Sequence, residues 1–246
     1  MPPGAQRTDD AVVDVLYSVL AGPSDLGARI RRYNLAYADA TQVARSMDFD
    51  DVVESVERHL SLFVAEFARK RVFVHAGVVG WNGRAILIPG ETMSGKSTLV
   101  AALMRAGATY YSDEFAVIGP GGRVYPYPRP LQLRREGRRS HRIAPAAVGR
   151  TPLRVGLVLV TRYRGGAAFR PRVMSPGQAM LALLRNTVSA QHNPGQALRI
   201  LAKSLAGARC VQGSRSEAEI TVRQLLSRQL MPPALSRREG LARLSA

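Results

Sequence analysis

Residues 85–107, AILIPGETMSGKSTLVAALMRAG, constrain this chain more than any other stretch. Residues 85–88 are a short apolar run, the mark of a buried strand. Gly90, Glu91, Thr92, Met93, Ser94, Gly95, Lys96 and Ser97, with Thr98 behind them, fit the phosphate-binding pattern of glycine, four residues, then Gly-Lys-Ser/Thr. Leu99, Val100, Leu103 and Met104 then recur at helical spacing until Gly107 stops the helix. The physics needs this order. Glycines let the backbone wrap a phosphate, amide N–H groups point inward, and the helix N-terminus adds about half a positive charge. The stretch implies a bound nucleoside triphosphate, with Lys96 reaching its outer phosphates and the Ser97 hydroxyl on Mg²⁺. The structural alternative is a Gly-rich turn without a ligand.

The bulk properties set bounds. A chain of 246 residues, 46% apolar and 22% charged, supports one sizeable core and a smaller attachment. Its net charge of +17, carried mainly by arginine, favours anionic partners: nucleotide, nucleic acid, acidic peptide or an anionic membrane surface. Residues 123–172 hold thirteen arginines and no lysine against the single acid Glu136, which concentrates +12 of that charge in one fifth of the chain. Arg129, Arg134, Arg135, Arg138, Arg139 and Arg142 offer bidentate forks for an acidic peptide or a transferring phosphate; a solvated basic face is the plainer reading. Tyr125 and Tyr127 interleave with them, but no alternating run builds a base-stacking platform. Cys210 is the lone cysteine, which excludes disulfides within the chain and a Cys-rich zinc site. The first ten residues lack a basic stretch followed by an apolar one, and the apolar run 11–20 is broken by Asp14 and too short to span a bilayer. A cytoplasmic protein without a membrane partner is expected.

Taken in order, residues 1–10 read as frayed. Asp10 is positioned to cap a helix in which Val12, Val15, Leu16, Val19 and Leu20 share a face. Residues 24–47 carry no clear pattern. From Asp48, Val52, Val53, Val56, Leu60, Phe63, Val64 and Phe67 follow amphipathic spacing, with Arg69, Lys70 and Arg71 at the end. His59 lies beside that stripe and suits a structural role. Residues 1–70 are therefore expected as a mostly helical extension, 71–230 as the nucleotide-binding domain and 231–246 as a basic tail. Residues 72–79 read as a strand, and Asn82-Gly83 marks a tight hairpin, so the strand entering the glycine-rich segment pairs antiparallel with its predecessor. A strand at 108–111 delivers Ser112, Asp113 and Glu114, and 115–118 continues it. Three prolines exclude 126–130 from a central strand. Residues 131–150 read as an Arg-rich loop or short helix, 153–160 as a buried strand, and 167–173 as its partner. Helices at 176–188 and 195–206, a strand at 209–212 and a helix at 217–230 complete the domain.

Asp113 follows Lys96 by seventeen residues, the length of one helix, one turn and one strand. Its carboxylate and that of Glu114 emerge beside the glycine-rich segment, where Mg²⁺ coordination and proton abstraction from an attacking hydroxyl are the natural duties. Turn residues without a ligand are the alternative. Together Val74-His75-Ala76-Gly77, the Asn82-Gly83 hairpin, GETMSGKST and Ser112-Asp113-Glu114 resemble the catalytic domain of HPr kinase/phosphorylase and its relatives, over about residues 72–133. The resemblance implies an α/β fold with a P-loop kinase core on a mixed sheet, akin to phosphoenolpyruvate carboxykinase. It implies Asp113 as the general base toward a substrate serine, and an active-site role for His75, which a core histidine can equally explain. Glu114 stands at the family's second aspartate and Thr98 at a frequent glutamate, and the phosphorylase signature has no clear counterpart. The chain looks more like small stand-alone relatives that phosphorylate a serine in a lasso-peptide precursor. Expected on that basis are ATP and Mg²⁺, catalytic Asp113, Lys96 and His75, metal-holding Ser97 and Glu114, and a peptide or small-protein partner bearing the acceptor serine. A small-molecule acceptor, a non-catalytic nucleotide-binding module with a nucleic-acid-binding face, and the oligomeric state stay open.

Overall fold

The computed structural model describes residues 6–22, 32–91, 94–135 and 138–232. The chain forms two compact units, Met1–Phe67 and Ala68–Ala246. No helix among the described residues is long and apolar enough to cross a membrane. The expected tail at 231–246 lies, but for Met231 and Pro232, outside the described residues.

The first unit contains strands β1 (Tyr17–Leu20), β2 (Asn34–Ala38) and β3 (Thr41–Ser46) and helix α1 (Phe49–Phe67). Its sheet is antiparallel in the order β1-β2-β3. The helix expected from Asp10 to Leu20 does not form, so three strands stand where a mostly helical extension was expected. Tyr17–Leu20 pairs instead with residues 35–38, and the Asp39 side chain takes the Leu16 N–H at 2.9 Å. Helix α1 matches its apolar spacing; it ends at Phe67, so Arg69, Lys70 and Arg71 follow it rather than close it. His59 is held structurally, its Nδ1 2.7 Å from the Tyr17 hydroxyl.

The second unit is mixed α/β, built on one mixed eight-stranded sheet. Strands β4 (Val72–Trp81) and β5 (Arg84–Pro89) form the antiparallel hairpin, with Asn82 and Gly83 both at positive φ, 48° and 77°. Helix α2 (Lys96–Arg105) follows β5. Strands β6 (Thr109–Ser112) and β7 (Phe115–Ile118) both run antiparallel to β4 on its other side, as one strand broken at Asp113 and Glu114. After β8 (Arg123–Tyr125), strands β9 (Leu131–Arg135) and β10 (Arg138–Ile143) pair with each other, so the expected Arg-rich loop or short helix is a hairpin; Glu136 lies outside the described residues. Strand β11 (Leu153–Tyr163) runs parallel to β5, and strand β12 (Arg172–Val173) lies at the sheet edge. Helices α3 (Pro176–Leu184) and α4 (Pro194–Leu205), strand β13 (Arg209–Arg215) and helix α5 (Ala218–Ser227) end the described fold.

The strand order is β12-β13-β11-β5-β4-β7-β8, with β8 also pairing the start of β11. Residues 167–173 were expected to pair with β11. They do not: β11 pairs β5 along Arg154–Val158 and β13 along Leu157–Tyr163, and β12 pairs the far edge of β13 instead. Alternate residues of β5 serve opposite faces. Ile86 and Ile88 pack with Leu99, Leu103, Val222 and Leu225 of α2 and α5, while Ala85 and Leu87 face the layer holding Ala179, Leu183 and Leu201 of α3 and α4. A strand covered on both faces must be apolar throughout, which is why its short run read so clearly in the sequence.

Gly77 sets how closely α2 approaches the sheet. A Cβ built there lies 2.6 Å from Val100 Cγ2, closer than a branched, rotamer-locked side chain can accommodate. Gly77→Ala should lower unfolding free energy by about 1–3 kcal/mol in urea titrations, the cost of overpacking; an unchanged midpoint and slope would show that α2 is free to move outward.

Candidate functional site

The end of β5 and the start of α2 are joined by a tight segment. Gly90 N–H donates to the His75 carbonyl at 3.2 Å, which ties the segment to β4. A side chain on Gly90 would meet Ser94 Oγ at 2.7 Å, and Gly95 holds φ +80° as the residue before α2. Gly95 is thus required by its backbone conformation, and Gly90 by the close approach of the Ser94 side chain. Thr92 and Met93 lie outside the described residues; Gly90, Glu91, Ser94, Gly95, Lys96, Ser97 and Thr98 are described.

Lys96 folds back over this segment. Its Nζ donates to the carbonyls of Gly90 at 2.8 Å and Glu91 at 2.7 Å. Burial pushes its ammonium below the usual lysine value, while Asp113, Glu114 and Glu91 pull the other way. Ser97, one residue on, donates from Oγ to Asp113 Oδ2 at 2.9 Å. The break between β6 and β7 makes this contact. Ser112 Oγ accepts the N–H groups of Glu114 at 3.2 Å and Phe115 at 3.0 Å, turning the chain so that Asp113 leaves the sheet line toward α2.

The other Asp113 oxygen, Oδ1, lies 2.8 Å from the Tyr110 hydroxyl, whose proton is shared with the Arg129 carbonyl at 2.9 Å. Burial and the Asp113 carboxylate push the phenol far above its usual value, so Tyr110 stays a donor. Asp113 is thereby held from two sides by hydroxyls. Glu114 does not join Ser97: its Oε2 pairs with Arg129 Nη1 at 2.6 Å, both side chains about three-quarters covered. Among the described residues no group of three or more His, Cys, Asp or Glu is placed to hold a metal ion by itself. The oxygens of Ser97 and Asp113 are nonetheless hard donors of the sort Mg²⁺ takes alongside water and phosphate.

His75 sits on β4 at the edge of this cluster, its ring 4.6 Å from that of Phe115. Burial, and then the charge of Lys96, lower its pKa from the usual 6.5, so its neutral form is favoured.

Three residues at the site carry no motif. Tyr110 reads as an ordinary strand residue, and Arg129 is lost in the general arginine excess. Arg215, at the end of β13 and only 2% exposed, donates from Nη2 to the carbonyls of Ser94 at 3.2 Å and Gly95 at 3.0 Å. Its Nε reaches Thr161 Oγ1 at 3.3 Å, its Nη1 the Ser216 carbonyl at 3.2 Å, and the Tyr163 ring lies 5.6 Å away. Burial lowers its pKa as well. Arg215 therefore braces the segment from the side of the sheet. In sequence it is one arginine among many.

A scan of the chain against models of protein families finds no match, and a search of the curated proteins finds none. The chemistry must be read from the residues. A lysine ammonium at a helix N-terminus and a hydroxyl beside a braced carboxylate together suit a polyanion whose outer end meets an acid–base group.

Two outcomes follow. Arg215→Met leaves the Ser94 and Gly95 carbonyls without their donor and should cost about 1–3 kcal/mol in urea unfolding, with Arg215→Lys recovering only part, since one ammonium does not span the same acceptors. For His75 the lowered pKa fixes the sign: its contribution to stability is complete above pH 6.5 and is lost as pH falls through the folded-state value. Relative to His75→Gln, the wild type should lose stability as pH falls below 6.5; parallel curves would show that the ring titrates as in the unfolded chain.

Proposed function

We propose that this chain is an ATP-dependent kinase with an HPr-kinase-like P-loop core, transferring the γ-phosphate to a serine hydroxyl of a peptide or small protein. The observation that carries this reading is the 2.9 Å contact between Ser97 Oγ and Asp113 Oδ2, which joins the residue after Lys96 to an acid from a separate strand. A ligand-free turn has no need of that convergence.

On this reading the N-terminus of α2 and the Lys96 ammonium bind the phosphates, Lys96 exchanging its carbonyl partners for phosphate oxygens. Ser97, with Glu114 through water, would hold Mg²⁺, which when bound neutralises charge on the phosphates. Asp113 orients the acceptor hydroxyl and takes its proton as the serine oxygen bonds to phosphorus and the bond to the ADP oxygen breaks. Tyr110 fixes the rotamer of Asp113, and Arg129 fixes that of Glu114. Neutral His75 beside Lys96 adds no competing positive charge. The arginine excess suits an acceptor of acidic character.

The test is transfer of label from γ-labelled ATP to serine-containing peptides, with binding of a fluorescent ATP analogue measured in parallel. Lys96→Ala should lower transfer by about a thousandfold and weaken nucleotide binding. Asp113→Asn should lower transfer by roughly 10²–10⁴-fold while leaving most of the nucleotide affinity. Transfer that survives Asp113→Asn would remove that residue from the role of base, and label released only as inorganic phosphate would contradict the kinase reading.

A further inference from the structure

A second, strongly basic feature lies where β11 and β13 end. There a cleft of about 490 Å³ is lined by Val160, Arg162, Arg170, Arg172, Gln212 and Ser214, among others. The sheet register fixes its floor. Val160, Gln212 and Arg172 are neighbours in one row across β11, β13 and β12, and Arg162 and Ser214 are neighbours two rows along, on the same face. Registered neighbours share a face, so these side chains converge instead of alternating away from one another. Gly213 lets the chain before β12 cross close to β13: a Cβ there would sit 3.3 Å from Pro171 Cα and 3.4 Å from the Arg170 carbonyl oxygen.

Arg162, Arg170 and Arg172 make no ion pair and no side-chain hydrogen bond among the described residues, and no carboxylate lines the cleft. Three unneutralised guanidinium groups around one concavity repel each other until an anion enters. The cleft is open to solvent, and its volume is of the size of ligand sites. Nothing aromatic lines it, so a base has no ring to stack on, which argues against single-stranded nucleic acid. The edge favours a polypeptide. Strand β12 has β13 on one side and no strand on the other among the described residues, and Val173 is 80% exposed.

We infer that this cleft binds an extended acidic peptide segment, its carboxylates taken by Arg162, Arg170 and Arg172 and its backbone lying along β12. In an extended chain alternate side chains face one way, so a segment with glutamate or aspartate at every second position presents its charges to the arginines together. The next residue of β13, Arg215, faces the other side of the strand and bonds the Ser94 and Gly95 carbonyls of the glycine-rich segment, so the cleft and that segment share one strand. As the docking site of the phosphate acceptor it rests on the kinase reading; as an acidic-peptide site it rests on its own residues.

The experiment measures fluorescence anisotropy of a labelled peptide of alternating glutamate and serine on the full chain, without nucleotide, against the same peptide with glutamine. The glutamate peptide should bind at least about tenfold tighter, and the triple variant Arg162→Gln, Arg170→Gln, Arg172→Gln should lose that preference. A charge-matched control, Arg199→Gln, Arg223→Gln, Arg228→Gln, changes exposed arginines of α4, α5 and the residue after α5 and should leave binding within about twofold. Equal losses in the two variants would overturn the inference, since net charge alone would then account for binding. So would absence of binding, or displacement of the peptide by a single-stranded oligonucleotide at lower concentration than by unlabelled peptide. Binding of a fluorescent ATP analogue to both triple variants separates the two readings. Analogue bound with the peptide preference absent removes the cleft and leaves the kinase; peptide preference present with no analogue bound does the reverse.

Discussion

The seat of α2 against β4 governs everything built at this end of the sheet. Because Gly77 has no side chain, Val100 rests on the strand itself, and the first turn of α2 is held directly over the end of β5. That leaves only a short connection between Pro89 and Lys96, too short for anything but a tight, glycine-dependent backbone. On its opposite edge the same strand carries β6 and β7, whose break delivers Asp113 to Ser97. One long central strand thus fixes both halves of the candidate site, and neither half can shift without disturbing a sheet covered on both faces.

One buried cation, Arg215, and one half-buried cation, Lys96, lie in this arrangement, and each is satisfied by carbonyl oxygens of the glycine-rich segment. Lys96 takes those of Gly90 and Glu91, and Arg215 takes those of Ser94 and Gly95. Burial works against both charges, and their hydrogen bonds are what makes them tolerable. The two differ in mobility. Arg215 is fixed by four acceptors and fully enclosed, whereas Lys96 is a flexible stem holding two carbonyls that an anion can outcompete. The segment therefore has one permanent brace and one cation free to change partners, which the proposed chemistry requires.

What sequence reading recovers here is local. The β4–β5 hairpin was legible because Asn82 and Gly83 must both take positive φ, and α2 was legible because its apolar spacing begins and ends with glycine. Elements decided by distant partners were not. Val12, Val15, Leu16, Val19 and Leu20 carry helical spacing, yet pairing with residues 35–38 draws the end of that run into β1. The hairpin of β9 and β10 hides under an arginine excess that reads as loop. At the site, Lys96, Ser97 and Asp113 follow from one motif and one spacing. Tyr110, Arg129 and Arg215 act through the fold alone, by reaching a carboxylate or carbonyl up to 121 positions away.

The arginine excess likewise acquires meaning only in three dimensions. Arg129 is spent on Glu114 and Arg215 on the backbone, while Arg162, Arg170 and Arg172 are gathered, unneutralised, around one cleft. The same residue type serves as partner, brace and exposed charge, and composition cannot separate these uses.

The central claim is that the residues around Lys96 enclose the phosphates of a nucleotide. The chain has only three lysines, Lys70, Lys96 and Lys203, which makes that claim directly measurable. An acyl-phosphate derivative of ATP transfers its acyl group to a lysine lying against the outer phosphates, and the modified position is read by peptide mass spectrometry. Acylation of Lys96, suppressed by excess ATP, is the predicted result; modification of Lys70 or Lys203 alone, or modification of Lys96 that ATP does not suppress, would contradict it.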